Sequence, residues 1–447
     1  MHTVEACRPT RAVPRCGHGD KVLVAVERFP ATGGSRVDKF VKLLPEHGIA
    51  PVVLSAKETD SPRARQLRQD LYPAELEAYQ ASSRGWSYFT PRYLVRGPGS
   101  RNYRLLALLS FPERFVMLPD YMVRWIAPGI RLASELVSRG SIGAVFTSSP
   151  SESVHLIGLE LKQRFGIGWV ADFRDLWTEK ALLYRPATRF HDAWIRRLEQ
   201  TVFASADHVI ANTPENAERY RTRFGLAPDS VTVIPNGFDP DDLLATRSRP
   251  EPQARFRIGY CGSLDKHAFP WRLALDAVAQ FAQVVGRDKV RLIHCGYASR
   301  QVREYLARKQ MQDLVVLRGD LPHEEAMKVT AETDVRLLLL YENEYSGCVV
   351  PMKLYNYLIM DGPILAVAPE EGRTAAIIRE SRMGVVLSAA RGVSAISGQL
   401  QHYYEAWEKG QLTVDPNHAE IGRYDRHAHA RTLAGILRNA MQHEIGR

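Results

Sequence analysis

Long hydrophobic runs are missing from this 447-residue sequence. No uninterrupted apolar stretch reaches the ~20 residues needed to cross a bilayer, so no transmembrane helix is expected. The first twenty residues, MHTVEACRPTRAVPRCGHGD, carry charges but no apolar core. They do not form a secretory signal, so residues 1–20 are expected to be a disordered tail and the location cytoplasmic. Cysteine is scarce: Cys7, Cys16, Cys261, Cys295 and Cys348 are odd in number and far apart. No pair has zinc-ligand or redox-motif spacing, which predicts reduced thiols and no metal site built on them. Several nucleotide and hydrolase signatures are also missing. No G-x-G-x-x-G follows the first apolar run, no G-x-x-x-x-G-K-[ST] occurs, and there is no G-x-S-x-G elbow.

Basic residues exceed acidic ones by 59 to 50, a formal net charge of +9. Such an excess favours anionic membranes, nucleic acids or phosphorylated small molecules, or is simply a solvated basic surface. No helix-turn-helix, finger or aromatic-basic repeat is present, which argues against nucleic acid as the main partner. At this length two domains are expected.

One stretch carries the chemistry: Tyr345 to Ala366, YSGCVVPMKLYNYLIMDGPILA. It reads as loop, helix, strand. Gly347 permits an unusual turn, and Pro351 suits the first turn of a helix. Met352 to Asp361 has no Gly or Pro, and Leu354, Tyr355, Leu358 and Ile359 recur at helical spacing. Gly362 fits a cap, Pro363 a stop, and Ile364 to Val367 a buried strand. Lys353 then falls in the first helical turn, where the dipole slightly disfavours a cation. An anion bound at that end would reverse the balance. An ordinary surface lysine is equally compatible.

The rest of the chain alternates strand and helix. Lys21 to Val26 is the first strand, and the turn FPATGGSR leads to a helix over Val37 to Leu44. Strands follow at Pro51–Leu54, Ile142–Phe146, Trp169–Asp172, His208–Ala211 and Val231–Ile234. Gly33 and Gly34 would admit a ligand close to the backbone at the end of the first strand, although plain turns use Gly-Gly as often. Asp172, Arg174 and Asp175 close another strand, where open α/β sheets hold ligands. The same acids would serve as partners of Arg174 or as helix caps. Tyr103 to Pro128 mixes apolar residues, including Trp125, with Arg104, Arg114 and Arg124. It reads either as a lipid-facing surface or as helices packed on the sheet.

A polar, Pro-containing linker at 246–256 separates two such arrays. The expected organisation is a 21–245 domain, a 257–425 domain and a C-terminal helix in 426–447. The fold class is α/β, with two doubly wound Rossmann-like domains and a ligand in the cleft between them.

The order of six segments adds a resemblance. They are GGSRVDKFVKLLPEHGIAPVVL from Gly33, FTSSPSESVHLIGLELKQRFGIGWVADFRDLWTE from Phe146, ADHVIANT from Ala206, VTVIPNGFDP from Val231, RIGYCGSL from Arg257 and VPMKLYNYLIMDGPILAVAP from Val350. Together they resemble the GT-B glycosyltransferases of the large retaining family four, of the bacterial polysaccharide and glycoconjugate type. The resemblance implies a donor nucleotide diphosphate sugar in the C-terminal domain and an acceptor (glycan, lipid-linked glycan or small molecule) in the N-terminal one. It implies catalytic roles for Lys353, Arg174 and Asp175. The implied donor-binding residues are Gly34, Ser263, Lys266, Gly347, Val350, Met352, Leu354 and Asn356. Asn236 and Gly237 are expected to be a structural turn.

The implied transfer needs no metal or other cofactor, in keeping with the absence of a D-x-D motif in a suitable loop. Amides and Lys353 would carry the leaving diphosphate's charge. Peripheral contact with an anionic membrane is a further expectation. One departure stands out. The family often has two glutamates eight positions apart, and here those positions are Cys348 and Asn356. Asn356 offers an acceptor and a donor without charge, which reshapes ribose recognition. A same-fold epimerase, a pseudo-glycosyltransferase and a catalytically silent membrane-surface binding protein remain alternatives.

Overall fold

A computed structural model describes residues 21–30, 35–57, 72, 76–81, 117–120, 122–179, 188–241, 254–265, 269–343 and 346–442. They fall into two compact units, Met1–Ile234 with His429–Arg447, and Pro235–Ala428.

The first unit holds a seven-stranded sheet in the order β3-β2-β1-β4-β5-β6-β7, every pair parallel. Its strands are β1 (Lys21–Arg28), β2 (Ala50–Lys57), β3 (Ala78–Gln80), β4 (Ile142–Ser148), β5 (Gly168–Phe173), β6 (His208–Ala211) and β7 (Val231–Val233). Helices α1 (Arg36–Leu43), α2 (Val123–Ser138), α3 (Val154–Phe165), α4 (Arg189–Ser205) and α5 (Pro214–Phe224) connect them. The near-continuous apolar runs of β1 and β5 reflect burial on both faces, as parallel sheets require. Local chemistry fixes the helix ends. Ser35 and Asp38 form a capping box at α1. Thr213 caps α5 with Pro214 just inside, and Gly225 closes it in the left-handed region.

The second unit repeats the plan with six parallel strands, β10-β9-β8-β11-β12-β13. These are β8 (Phe256–Cys261), β9 (Val290–Cys295), β10 (Val315–Gly319), β11 (Val335–Leu339), β12 (Ile364–Val367) and β13 (Gly384–Leu387). Its helices are α6 (Trp271–Val285), α7 (Arg300–Arg308), α8 (His323–Ala331), α9 (Met352–Tyr357), α10 (Arg373–Glu380), α11 (Gly392–Glu408) and α12 (His418–Gly422). The last helix, α13 (Arg426–Gln442), places Leu433, Ala434 and Leu437 in the core of the first unit, against β1 and α1 residues such as Val24 and Phe40. In both sheets the order reverses beside the first strand, at β1/β4 and at β8/β11. Doubly wound sheets bind ligands at such switch points, outside the carboxyl ends of the strands.

One expectation changes, and at Trp125 the packed-helix reading holds over the lipid-facing one. The helix after Pro351 is shorter than its apolar spacing implies: α9 stops at Tyr357. Beyond it the amides of Ile359 and Met360 turn back to the carbonyls of Asn356 and Tyr357, three residues earlier, so the chain tightens into turns before Gly362. Such a short helix has little macrodipole, so side chains and loop amides must supply most of the field at its start. Trp125 does not face a lipid surface. It is 1% exposed, inside the unit on α2. Residues 103–116 and 121 lie outside the described residues, as do the linker positions 246–253.

Candidate functional site

In the second unit the carboxyl edge of the sheet is built from close backbone approaches. Gly262, just past β8, has φ +110, and its N–H donates to the Cys295 carbonyl at 2.7 Å. Gly296, just past β9, has φ +137 and donates to Gly319 at 2.7 Å. A Cβ on Gly296 would lie 2.6 Å from the Gly262 carbonyl oxygen, so only glycine fits there. Gly372, ahead of α10, packs against Gly347 in the same way: a Cβ on Gly372 would lie 2.7 Å from the Gly347 Cα. Gly347 has no positive φ. Its smallness serves the neighbouring turn rather than its own.

Lys353 reaches into this edge. Its Nζ sits 3.9 Å from the centre of the Tyr260 ring, and a Cβ added to Gly262 would lie 3.1 Å from it. The lysine is half-buried rather than fully in solvent. Tyr260 is fully buried, donates its hydroxyl to the Ser263 carbonyl at 3.1 Å and stacks on His294. A cation over a desolvated tyrosine face gains roughly 2 kcal/mol or less, enough to orient an ammonium without neutralising it. His294 Nε2 lies 2.8 Å from the Gly262 carbonyl, an acceptor only, so Nε2 carries the proton. Burial pulls the His294 pKa down, the Gly262 bond opposes this and the Lys353 charge adds to it. Burial likewise pushes the Cys261 thiol up, against the pull of Lys353. The Cys261 amide donates to the Tyr357 hydroxyl at 3.1 Å, tying α9 to the end of β8.

Of the donor-binding candidates, Ser263 thus meets the Lys353 cluster through Tyr260. Val350 and Leu354 are buried in the apolar cluster beneath the loop, whereas Met352 is exposed. Asn356 is half-buried on α9. The Thr374 hydroxyl holds the Val349 carbonyl at 2.7 Å, so the loop before Lys353 is anchored to α10. Lys266 and Gly34 lie outside the described residues.

In the first unit the carboxyl ends of β4 and β5 and the start of α1 converge. Arg36, the first residue of α1, binds both Asp172 oxygens, at 3.1 and 3.0 Å, with both side chains fully buried. Ser148 donates to the same carboxylate at 2.6 Å. Asp172 therefore pairs with Arg36 and not with Arg174. The loop after β5 is pinned along its length. The Arg174 N–H donates to Ser149 Oγ at 3.3 Å, and its carbonyl accepts from Asn212 at 3.2 Å. The Asp175 carbonyl accepts from the Tyr220 hydroxyl at 3.3 Å, and Thr178 donates twice to the buried Glu199 carboxylate. Asp175 itself is exposed. The sequence signal missed here was Arg36, another cation in the first turn of a helix, whose anion turned out to be Asp172.

Asn236 and Gly237 form a turn whose Gly237 carbonyl accepts from Arg426 at 2.8 Å. Nearby, Asp239, Asp241 and His427 bring potential ligand atoms within 4.8 Å of one another. The Asp239 carboxylate also accepts the Asp241 N–H at 3.1 Å, a bond that stabilises the loop.

Similarity to known proteins places this geometry in a wider fold group. Residues 34–242 match the family model of Glycosyltransferase Family 4. The chain has the GT-B fold, and its residues 34–242 resemble the family 4 glycosyltransferases. No curated protein sequence matches the chain. Its fold is similar to a glycosyltransferase from Rickettsia africae, with TM-score 0.61 and 12% identity over 94% of this chain and 98% of that one. It is similar to sucrose-phosphate synthase from Thermosynechococcus elongatus, with TM-score 0.61 and 14% identity over 94% and 98%. It is also similar to Anabaena HepE in complex with UDP, with TM-score 0.52 and 12% identity over 95% and 97%.

Proposed function

We propose that this glycosyltransferase moves a sugar from a nucleoside diphosphate sugar, held by the second unit, to a glycan, lipid-linked or small-molecule acceptor held by the first. The observation that carries the reading is the Lys353 ammonium, set beside Gly262 at the switch-point edge of the sheet. Breaking the bond between the anomeric carbon and the diphosphate leaves negative charge on the departing oxygen. Lys353 and the amides of the Gly347–Met352 loop stabilise that charge without a metal ion. The acceptor hydroxyl attacks from the face the diphosphate leaves, and its proton passes to the departing phosphate oxygen. The anomeric configuration is retained. UDP bound to the similar Anabaena protein supports a nucleoside diphosphate as the leaving group. Arg174 and Asp175 act beside the transferred sugar, on a loop made rigid by Asn212, Tyr220 and Glu199.

A melting-point screen with UDP, GDP, dTDP and ADP tests this reading, because a specific ligand stabilises the fold it binds. One nucleotide should raise the midpoint, and Lys353→Ala should remove the rise. Product analysis with the matching sugar nucleotides follows. Epimerised donor without transfer would redirect the assignment to an epimerase, and no response to any nucleotide would make the chain a silent binding protein.

Contact with an anionic membrane from the cytoplasmic side is supported by α4. Phe190 and Trp194, 76% and 43% exposed, sit four residues apart with Arg189 and Arg197 exposed beside them. Aromatic rings flanked by arginine suit an acidic lipid interface. Co-sedimentation with phosphatidylglycerol vesicles should fall in the F190S/W194S double variant and at high salt. Among the described residues no helix is long and apolar enough to cross a membrane.

A further inference from the structure

The second sheet opens where its strand order reverses. Among the described residues β8 and β11 pair only at Ile258 and Gly259. Meanwhile β8 stays with β9 as far as Cys261, and β11 with β12 as far as Leu339. At Gly259 the strand presses on the turn before β11, for a Cβ there would lie 2.4 Å from Thr333 Oγ1. Past that point the strands part. Backbone groups alternate sides along a strand. The Arg257 carbonyl accepts the Asp334 N–H on the β11 side, and the Gly262 N–H donates to Cys295 on the β9 side. The Cys261 N–H therefore points toward β11, into the gap. Its acceptor there is the Tyr357 hydroxyl, at 3.1 Å, and not a strand carbonyl.

A buried amide without an acceptor is costly, so the Tyr357 oxygen fills a defect that the switch point creates. Tyr357 is fully buried and lies four residues after Lys353, one turn along α9. The two residues make a reciprocal brace with β8. Lys353 lies over the ring of Tyr260, and Tyr357 takes the amide of the next strand residue, Cys261. Tyr260 is itself held, by its hydroxyl on the Ser263 carbonyl and by its ring on His294. Burial raises the pKa of both tyrosines, so both hydroxyls keep their protons. A six-residue helix has little stability of its own, so contacts like these decide where it sits.

We propose that Tyr260 and Tyr357 are positioning residues for the donor: together they fix the spacing between the Lys353 ammonium and the Gly262 turn, and with it the grip on the diphosphate. The inference rests on Lys353 holding the donor, as proposed above, and adds the two residues that place it. Both act through Lys353 and the turn, without touching the ligand.

The full-length chain is labelled at the lysine ε carbons for NMR, and the Lys353 signal is identified by its loss in Lys353→Ala. Protons above an aromatic face resonate upfield. The Lys353 ε protons should show that shift in the parent and in Tyr260→Phe, which keeps the ring. They should lose it in Tyr260→Leu and lose at least half of it in Tyr357→Phe, which keeps the ring of Tyr357 but not the oxygen. Circular dichroism checks that each variant is folded, and Tyr357→Phe carries the test if Tyr260→Leu unfolds. An unchanged shift in either variant overturns the proposal. The second arm measures by calorimetry the affinity for whichever of UDP, GDP, dTDP and ADP raises the melting midpoint. Tyr260→Leu and Tyr357→Phe should each weaken it about tenfold, the scale of a lost desolvated cation–π contact or of one buried donor left unmet. With Lys353→Ala already in place, each should cost roughly twofold at most, because residues that act through one group are not additive. Equal losses in both backgrounds mean a purely structural role and overturn the proposal. Failure of the donor reading looks different: Lys353→Ala then leaves nucleotide affinity intact, or none of the four binds, while the NMR shifts still follow the tyrosines.

Discussion

Lys353 holds its ammonium 3.9 Å from the centre of the Tyr260 ring, on the strand end that also bears Gly262. The ring orients the ammonium beside the Gly262 turn. Lys353→Ala should lower transfer about a hundredfold, the scale of removing one donor that stabilises developing charge. Steady-state turnover with the matched sugar nucleotide checks this, and near-wild-type rates would remove Lys353 from the mechanism.

Gly296→Ala tests the close approach beside that lysine. The new Cβ meets the Gly262 carbonyl at 2.6 Å, in a backbone region with φ +137. The strain should cost about 1–3 kcal/mol of stability. Nucleotide binding should weaken with it, since the Gly262 turn must shift. Urea denaturation and nucleotide titration give the two readouts; a variant as stable as the parent would show that the turn is not tightly fitted.

His294 makes stability depend on pH. Its folded pKa is lowered from 6.5, chiefly by burial. Above 6.5 both folded and unfolded chains are neutral at this position. As the pH falls, the unfolded chain takes up a proton that the folded one refuses, so stability is lost until the folded pKa is passed. His294→Gln keeps a donor for the Gly262 carbonyl but does not titrate. Between pH 7.5 and 5.5 the wild type should lose more stability than this variant, and equal losses would rule out His294 as a source.

The buried Arg36–Asp172 pair is predicted to hold the first unit's edge together. Asp172→Asn leaves Arg36 buried without a counter-charge and should cost about 3–5 kcal/mol. Replacing both, as Arg36→Met with Asp172→Leu, should recover much of the loss. A single variant as stable as wild type would mean that Arg36 finds another acceptor.

Asn356→Glu restores an acidic group at a position that the family often uses for the ribose. The nucleotide ranking in the melting screen should change, with gains for nucleotides whose hydroxyls donate to the new carboxylate. An unaltered ranking would show that Asn356 does not face the ribose.

Much of the fold was readable because parallel strands buried on both faces leave uninterrupted apolar runs, as in KVLVAV and VRLIHC. Elements without that signature were missed. The short edge strands β3 and β13 carry too few residues for a pattern, and α7 is highly polar. The α9 boundary was misjudged because Leu358 and Ile359 keep helical spacing while the chain tightens into turns.

Composition and order alone determined the two α/β arrays and the loop that carries Lys353, because burial periodicity and turn residues act locally. Tertiary structure decided what each charge faces. Lys353 and Arg36 give the same local signal, a cation in the first turn of a helix. Only the fold reveals that Arg36 is matched by Asp172, 136 residues away, while Lys353 lies beside a glycine turn and a tyrosine face. Electrostatic partnership depends on distance in space, and one chain order permits many such pairings until the sheets form.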